Sequence, residues 1–313
     1  MAGDKGNLHI SVPLTNFALG ISNGALIGTE IMKSVPVSKQ SDKYFIFGND
    51  SFRVENDYRA NGAEASEVLS YSVSNTTYAC HKHAQRDIVT EDDRNNADAP
   101  IDPDTETTAG IISKLYLGRE KYIADLLFNV TTFTGYTAAL GAADKWSNYT
   151  QSSPVDKVEA ARTAIQKKCG MKANTLVLGQ EVYDKVRRHP ELVALFDKVE
   201  RGILDEAQIK AAFRVDNLFI GGALYDTAKQ GQASVLDFLW GKYALVCYVD
   251  ATVGIKKPTM GKLFTWKLFN GLTAKVKKYR EEKRDADIIE AEIAYDAKVT
   301  MASAGYLYST VIA

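Results

Sequence analysis

Cys80-His81-x-His83 is the one cluster in this chain with the residue types of a metal site. A thiolate and two imidazoles suit zinc, which takes four tetrahedral ligands in structural sites and keeps one position open in catalytic ones. On an extended strand, alternation sets Cys80 on the face opposite His81 and His83. A site would therefore need further ligands, which Asp87 or Glu91 would have to supply. The cluster leaves two readings open: a metal-dependent enzyme, or polar residues on the outward face of a ribbon. Other chemistry is thinner. His189 precedes Pro190 at a helix break, where its expected task is to cap a helix end. Cys169 sits at a helix C-terminus, the wrong end of the dipole for activating a thiol. Gly118 and Gly221-Gly222 form no dinucleotide loop, and no G-x-x-x-x-G-K-[ST] or G-x-S-x-G run occurs. Glu55 and Glu67 flank a turn in polar surroundings, which offers nothing for paired-carboxylate catalysis. The expectation is no catalytic residue, no cofactor and no metal site.

Bulk properties narrow the class further. A chain of 313 residues can bury a sizeable core, as one large domain or two to three small ones. Its 38 basic and 39 acidic residues leave a formal charge of -1, against a freestanding nucleic-acid-coating protein. No apolar run is long enough to span a membrane. The start, MAGDKGNL, has no secretory pattern. Three dispersed cysteines, Cys80, Cys169 and Cys247, fit free thiols in a reducing compartment. The glycosylation-type triplets at Asn49, Asn75, Asn129 and Asn148 then read as chance.

The strongest helix signal runs from Pro103 to Val130. Asp102 is placed to cap it, Pro103 suits the first helical position, and Asp104 and Glu106 complement the dipole. Apolar residues recur at Ile112, Leu115, Tyr116, Ile123, Leu126, Leu127 and Val130, with Lys114, Arg119, Glu120 and Lys121 mostly off the stripe. The face Ile112, Leu115, Ile123, Leu126 and Val130 is expected to lie against the C-terminal strands.

The other elements follow from period and punctuation. Residues 1–41 lack a period and are expected to be held by neighbouring subunits. Residues 43–47 and 71–90 read as strands of one long excursion, with Asn61-Gly62 at a polar tip. Such a ribbon needs a surface to lie on. Ser153-Pro154-x-Asp156 opens a second helix that ends at Gly170. Strand 174–178, a helix over 180–199 broken at His189-Pro190, helix 205–213, strand 218–222 and two short strands around Gly241 make a compact α/β lobe. Four strand-like runs fill 262–313, expected to return to the long helix.

This order of elements resembles the major capsid proteins of tailed bacteriophages, the Hong Kong 97-like shell fold. The run Gly170-Met171-Lys172-Ala173-Asn174-Thr175-Leu176-Val177-Leu178-Gly179, followed by Val182-Tyr183 and Arg188-His189-Pro190, is similar to one in prophage-type capsid subunits. Phe213-Arg214-Val215-Asp216-Asn217-Leu218-Phe219-Ile220-Gly221 resembles their strand entry. Trp240-Gly241, Pro258…Gly261…Phe264-Thr265-Trp266 and Gly305-Tyr306-Leu307 add to the likeness, which covers about 8–313.

The resemblance implies an α+β fold with an N-terminal arm (1–41), an extended loop (42–90), a peripheral domain (91–170) with a spine helix at 103–130, an axial domain (171–260) and peripheral strands (261–313). It implies a non-enzymatic subunit, self-assembling into pentamers and hexamers of an icosahedral shell around phage double-stranded DNA. The shell is assembled in the host bacterial cytoplasm, with no membrane partner. An encapsulin-type cage around cargo protein shares the fold and stays open as an alternative. The absence of a fused helical extension before the arm points to a separate scaffolding protein, with a portal as a further partner. Some such shells donate a loop lysine to a covalent cross-link. Residues 48–70 contain no lysine, so the loop is expected to hold neighbours through Arg53, Glu55, Asp57, Arg59, Glu64 and Glu67 by salt bridges instead.

Overall fold

A computed structural model describes residues 9–20, 25–46, 58–59, 61–62, 64, 76–97, 102–196, 202–229, 231–252, 254–268 and 271–313. In chain order the first half holds β1 (His9–Ile10), α1 (Val12–Gly20), α2 (Gly28–Ile31), β2 (Ser34–Val37), β3 (Ser41–Lys43), β4 (Thr77–Ala79), β5 (His81–Thr90), α3 (Glu91–Asn95), α4 (Pro103–Leu127), β6 (Thr137–Ala139) and α5 (Pro154–Cys169). The second half holds β7 (Thr175–Gly179), α6 (Gln180–Val186), α7 (Pro190–Ala194), α8 (Glu206–Phe213), β8 (Asn217–Gly221), β9 (Leu224–Asp226), β10 (Leu236–Phe238), β11 (Ala244–Cys247), β12 (Gly261–Trp266), β13 (Ala274–Glu281), β14 (Ala286–Val299) and β15 (Gly305–Ser309).

The long helix α4 starts as its sequence dictates, with the Asp102 carboxylate accepting from the Asp104 amide and Pro103 in the first turn. Its 25 residues span about 37 Å. It stops at Leu127, short of Val130, and its buried face differs from the expected one. Ile112, Leu115 and Ile123 are buried, but Leu127 continues the stripe, Leu126 is half-buried and Val130 is 45% exposed. Four residues beyond Ile123 the stripe reaches Leu127, and at Phe128 the backbone leaves helical geometry. Glu120 also falls on this stripe and is buried.

That face lies on a six-stranded sheet centred on β14. The register shows how the sheet is laid out. Ile293 pairs with both Ala274 of β13 and His83 of β5, and Tyr295 pairs with both Thr265 of β12 and His81 of β5. Strands β13 and β12 therefore run end to end along one edge of β14, and β5 lines the other. Nearly every residue from Ile288 to Ala297 is buried. Apolar residues occupy both alternating sets there because both sheet faces are covered, and the interspersed Glu290, Glu292 and Asp296 are paired with Lys277 and Lys298.

The N-terminal segment departs from expectation. Its described part is satisfied within the chain: β1 pairs with β13, and β2 pairs in parallel with β12. Thr15, Ala18, Ile31, Met32 and Val35 are buried, and Thr15 Oγ1 accepts the Val276 amide at 3.1 Å. No period was visible because this contact is made by several short elements instead of one face.

A second sheet runs β6-β15-β11-β7-β8, with α5 against it. The expected lobe strands and helices are present, including the break between α6 and α7. The last strand is a further difference. Instead of returning to α4, β15 enters this second sheet antiparallel to β11. Gly305 permits the crossing, since a Cβ there would lie 2.5 Å from the Phe133 ring.

Ile123→Asp is expected to destabilise the subunit by about 4 kcal/mol or more, because it buries an unpaired charge. Lys121→Ala removes an exposed pair with Asp125 and a cation–π contact with Tyr225, and should cost about 1 kcal/mol, well below the Ile123 change. Thermal unfolding of the two variants reads the difference.

Candidate assembly surfaces and the node behind them

The excursion is rooted where β3 meets β4, pairing Ser41–Lys43 with Thr77–Ala79. Tyr78 stacks on Phe264 at 4.5 Å and Tyr44 tilts against the same ring at 5.7 Å, so an aromatic cluster anchors its base. Of the loop residues predicted to hold neighbours, Arg59 and Glu64 are exposed on either side of the Asn61-Gly62 turn, where Gly62 has φ +84°. Arg53, Glu55, Asp57 and Glu67 lie outside the described residues.

Cys80, His81 and His83 fall on or beside β5. Cys80 is buried against Phe264, with its Sγ 3.6 Å from that residue's carbonyl oxygen. Burial pushes the thiol up to about 11, so it is not a thiolate at neutral pH. His83 stacks on Tyr295 at 4.3 Å, and Glu91 pairs with Arg280 at 2.9 Å. Among the described residues, no three His, Cys, Asp or Glu side chains come together as a metal site. His189 caps α7 by accepting the Glu191 amide, and its Nε2 lies 2.9 Å from Ser152 Oγ.

The group that sequence reading missed is Glu120. Its carboxylate accepts the amides of Ile27 (2.8 Å) and Gly28 (2.9 Å) and the indole N–H of Trp240 (2.9 Å). Three regions meet there: the N-terminal segment, the long helix and the α/β lobe. Gly28 is required for the approach, since a Cβ there would lie 2.6 Å from Glu120 Oε2. Trp240 is fully buried, covers Gly221 and meets the edge of Phe128 at 5.1 Å. Burial raises the Glu120 pKa, and its hydrogen bonds and Arg119 offset this in part. Arg119 itself stacks on Tyr116, 4.4 Å from the ring centre. The signal available in the sequence was spacing, because Tyr116, Glu120, Ile123 and Leu127 share one helical face.

A second charged cluster fixes the start of α4. Arg94 reaches Asp104 at 2.7 Å and Asp287 at 2.8 Å, and Lys278 pairs with both carboxylates. Burial pushes Asp104 up, but the hydrogen bonds from Lys278 and Arg94 outweigh it and hold its pKa below the usual value. Arg94 is presented by α3, which opens with a reciprocal capping box between Thr90 and Asp93.

Two surfaces stand out as open among the described residues. Residues 81–87 of the ten-residue β5 are exposed, and β14 is its partner in the sheet. On the β9–β10 hairpin, Leu224, Val235 and Leu236 are 46%, 57% and 64% exposed. An open strand edge and a projecting apolar hairpin are features that a solitary protein normally covers.

Glu120→Ala is expected to cost about 3 kcal/mol or more in thermal unfolding, since it strands buried donors on three elements. The two carboxylates should respond oppositely to acid. Asp104 has a lowered folded pKa, so its stabilisation is present above the usual carboxylate range and is lost as pH falls through the folded value. Glu120 has a raised one, so its contribution is full below its unfolded value and is lost as pH rises through the folded value. Unfolding midpoints followed from neutral to about pH 3 should show Asp104→Asn flattening the acid loss and Glu120→Gln steepening it.

Comparison with known proteins bears on what these surfaces are for. Residues 128–250 match the family model of phage major capsid protein E. The chain is 29% identical to the major capsid protein of Burkholderia phage BcepMu, over 82% of each chain. A phage-related protein from Bordetella bronchiseptica RB50 superposes with a TM-score of 0.79 at 20% identity, covering 97% of this chain and 98% of that one. The capsid structure of cyanophage P-SCSP1u gives 0.59 at 10% identity, with 92% and 89% covered. The chain has the Hong Kong 97-like fold, and in fold and sequence together it is similar to the major capsid proteins of tailed bacteriophages.

Proposed function

We propose that this capsid protein builds a closed icosahedral shell of pentamers and hexamers around phage double-stranded DNA. The observation that carries the reading is the sequence likeness to a phage major capsid protein over 82% of each chain, in a chain with an exposed β5 and an exposed β9–β10 hairpin. Head-to-tail contacts that close into rings are the symmetry such surfaces need. Residues 1–41 act as the arm, 42–90 as the extended loop, 91–170 with the C-terminal strands as the peripheral domain, and 171–260 as the axial domain around the ring axes. Its work is structural, without catalysis. It assembles in the host bacterial cytoplasm, with a separate scaffolding protein and a portal as assembly partners.

Neighbours are held across the loop by Arg53, Glu55, Asp57, Arg59, Glu64 and Glu67. Each exposed pair is worth about 0–1 kcal/mol, and repetition over the shell makes the sum matter. Raised ionic strength should loosen the shell. Dissociation that ignores salt, or covalent ladders on denaturing gels, would show that this loop works differently.

Negative-stain imaging of the purified protein, co-expressed with its scaffold, tests the main reading. Uniform closed icosahedral particles are expected, with DNA as their content after packaging. Cargo protein inside would favour an encapsulin-type cage, and a protein that never closes into shells would end both readings.

A further inference from the structure

The corner between α5 and α8 holds a concentration of positive charge that the shell reading does not use. Glu159, Arg162, Thr163 and Gln166 recur at helical spacing on one face of α5. Gly170 then turns the chain in the left-handed region, φ +71°, and Lys172 follows it. Across the gap, Arg214 closes α8 in a left-handed conformation of its own, φ +53°. These six residues line a cavity of about 210 Å³. Three of them are cations, and Glu159 is the single acid among them.

The cations are poorly neutralised. Arg162 is held by one bond, from Nη1 to the Phe213 carbonyl at 3.3 Å. Its Nε is buried with no acceptor. Among the described residues no carboxylate pairs with Arg162 or Lys172. Glu159 reaches Arg214 at only 3.7 Å, with both side chains well exposed, so this pair yields readily to a stronger anion. A guanidinium fixed by one carbonyl and with no carboxylate beside it, two further cations, and the neutral groups of Thr163 and Gln166 suit an anion with several oxygens. Lys167 and Lys168 continue the exposed positive charge along the end of α5.

We infer that the α5–α8 corner is a phosphate-binding site that takes the phosphodiester backbone of the nucleic acid inside the shell. This rests on the capsid reading for its source of phosphate, but the chemistry of the site does not. Recognition would be independent of sequence, since these residues reach backbone oxygens and not base edges.

The test is titration of unassembled subunits with a labelled short DNA duplex, with inorganic phosphate as competitor. Wild-type protein should bind, and phosphate should displace the duplex. Lys172→Gln and Arg214→Gln alter exposed side chains, so folding should be spared. Each should weaken binding by about tenfold and lower the slope of log K against log salt by about one. Arg162→Gln should weaken it further, with a thermal melt confirming that the variant is folded. Equal affinity in all variants overturns the site. Binding of inorganic phosphate without binding of the duplex overturns the nucleic-acid assignment. Imaging of the same variants keeps the two readings apart, because shells that close normally while the titration fails sink the site alone.

Discussion

The buried Glu120 carboxylate is the constraint on which the rest of the subunit depends. Taking an ionised carboxylate out of water costs several kcal/mol unless donors replace the lost hydration. Here the amides of Ile27 and Gly28 and the Trp240 indole provide them. Each donor comes from a different stretch of chain from the helix that carries Glu120. The helix is therefore well solvated at its centre only when the N-terminal segment and the lobe are both in place. The same contact explains two local features. Gly28 leaves room for the carboxylate, and Gly221 leaves room for the tryptophan that reaches it.

From that node the architecture follows as a division of surfaces. The inner face of α4 is taken by β14 and β5, and the six-stranded sheet passes its chain to the second sheet through the crossing at Gly305. The two sheets are thus joined by α4, by Trp240 and by the β14–β15 connection. Among the described residues, the outer edge of β5 and the apolar side chains of the β9–β10 hairpin stay uncovered at the margins. Natural proteins usually blunt such margins. A subunit whose relatives are shell proteins has a reason to keep them.

Legibility in the sequence tracked the kind of physics involved. Local signals read true: the Asp102 cap and Pro103, the Ser153-Pro154 start, and the interruption at His189-Pro190 all depend on residues a few positions apart. The long helix, the lobe elements and the late strands were visible for the same reason. What failed to show depended on partners far away in the chain. The N-terminal segment's pairing with β12 and β13 joins residues more than two hundred positions apart, and β15 pairs with β11, about sixty positions away, where Gly305 makes room for Phe133. Glu120 was misplaced because its charge suggested solvent, although its spacing from Ile123 and Leu127 put it on the buried face. The loop residues carry charge without period, and Arg59 and Glu64 are placed on the surface without their function being legible from it.

The pairing of the described N-terminal residues within their own subunit bears on how the proposed shell would assemble. Ordering a segment on a neighbour would charge its conformational entropy against each intersubunit contact. Residues 27–37 are instead ordered by their own subunit, through Glu120, β12 and the buried Ile31, Met32 and Val35. That part of the entropy is settled on folding, before any neighbour arrives. Contacts between subunits then have less to overcome and can be individually weak. In the proposed shell, weak contacts repeated around closed rings would give a stable whole while leaving any single mismatched contact free to come apart. Glu120 thus stands upstream of assembly: by fixing the arm, the long helix and the lobe to one another, it delivers a rigid unit whose margins alone have to find partners.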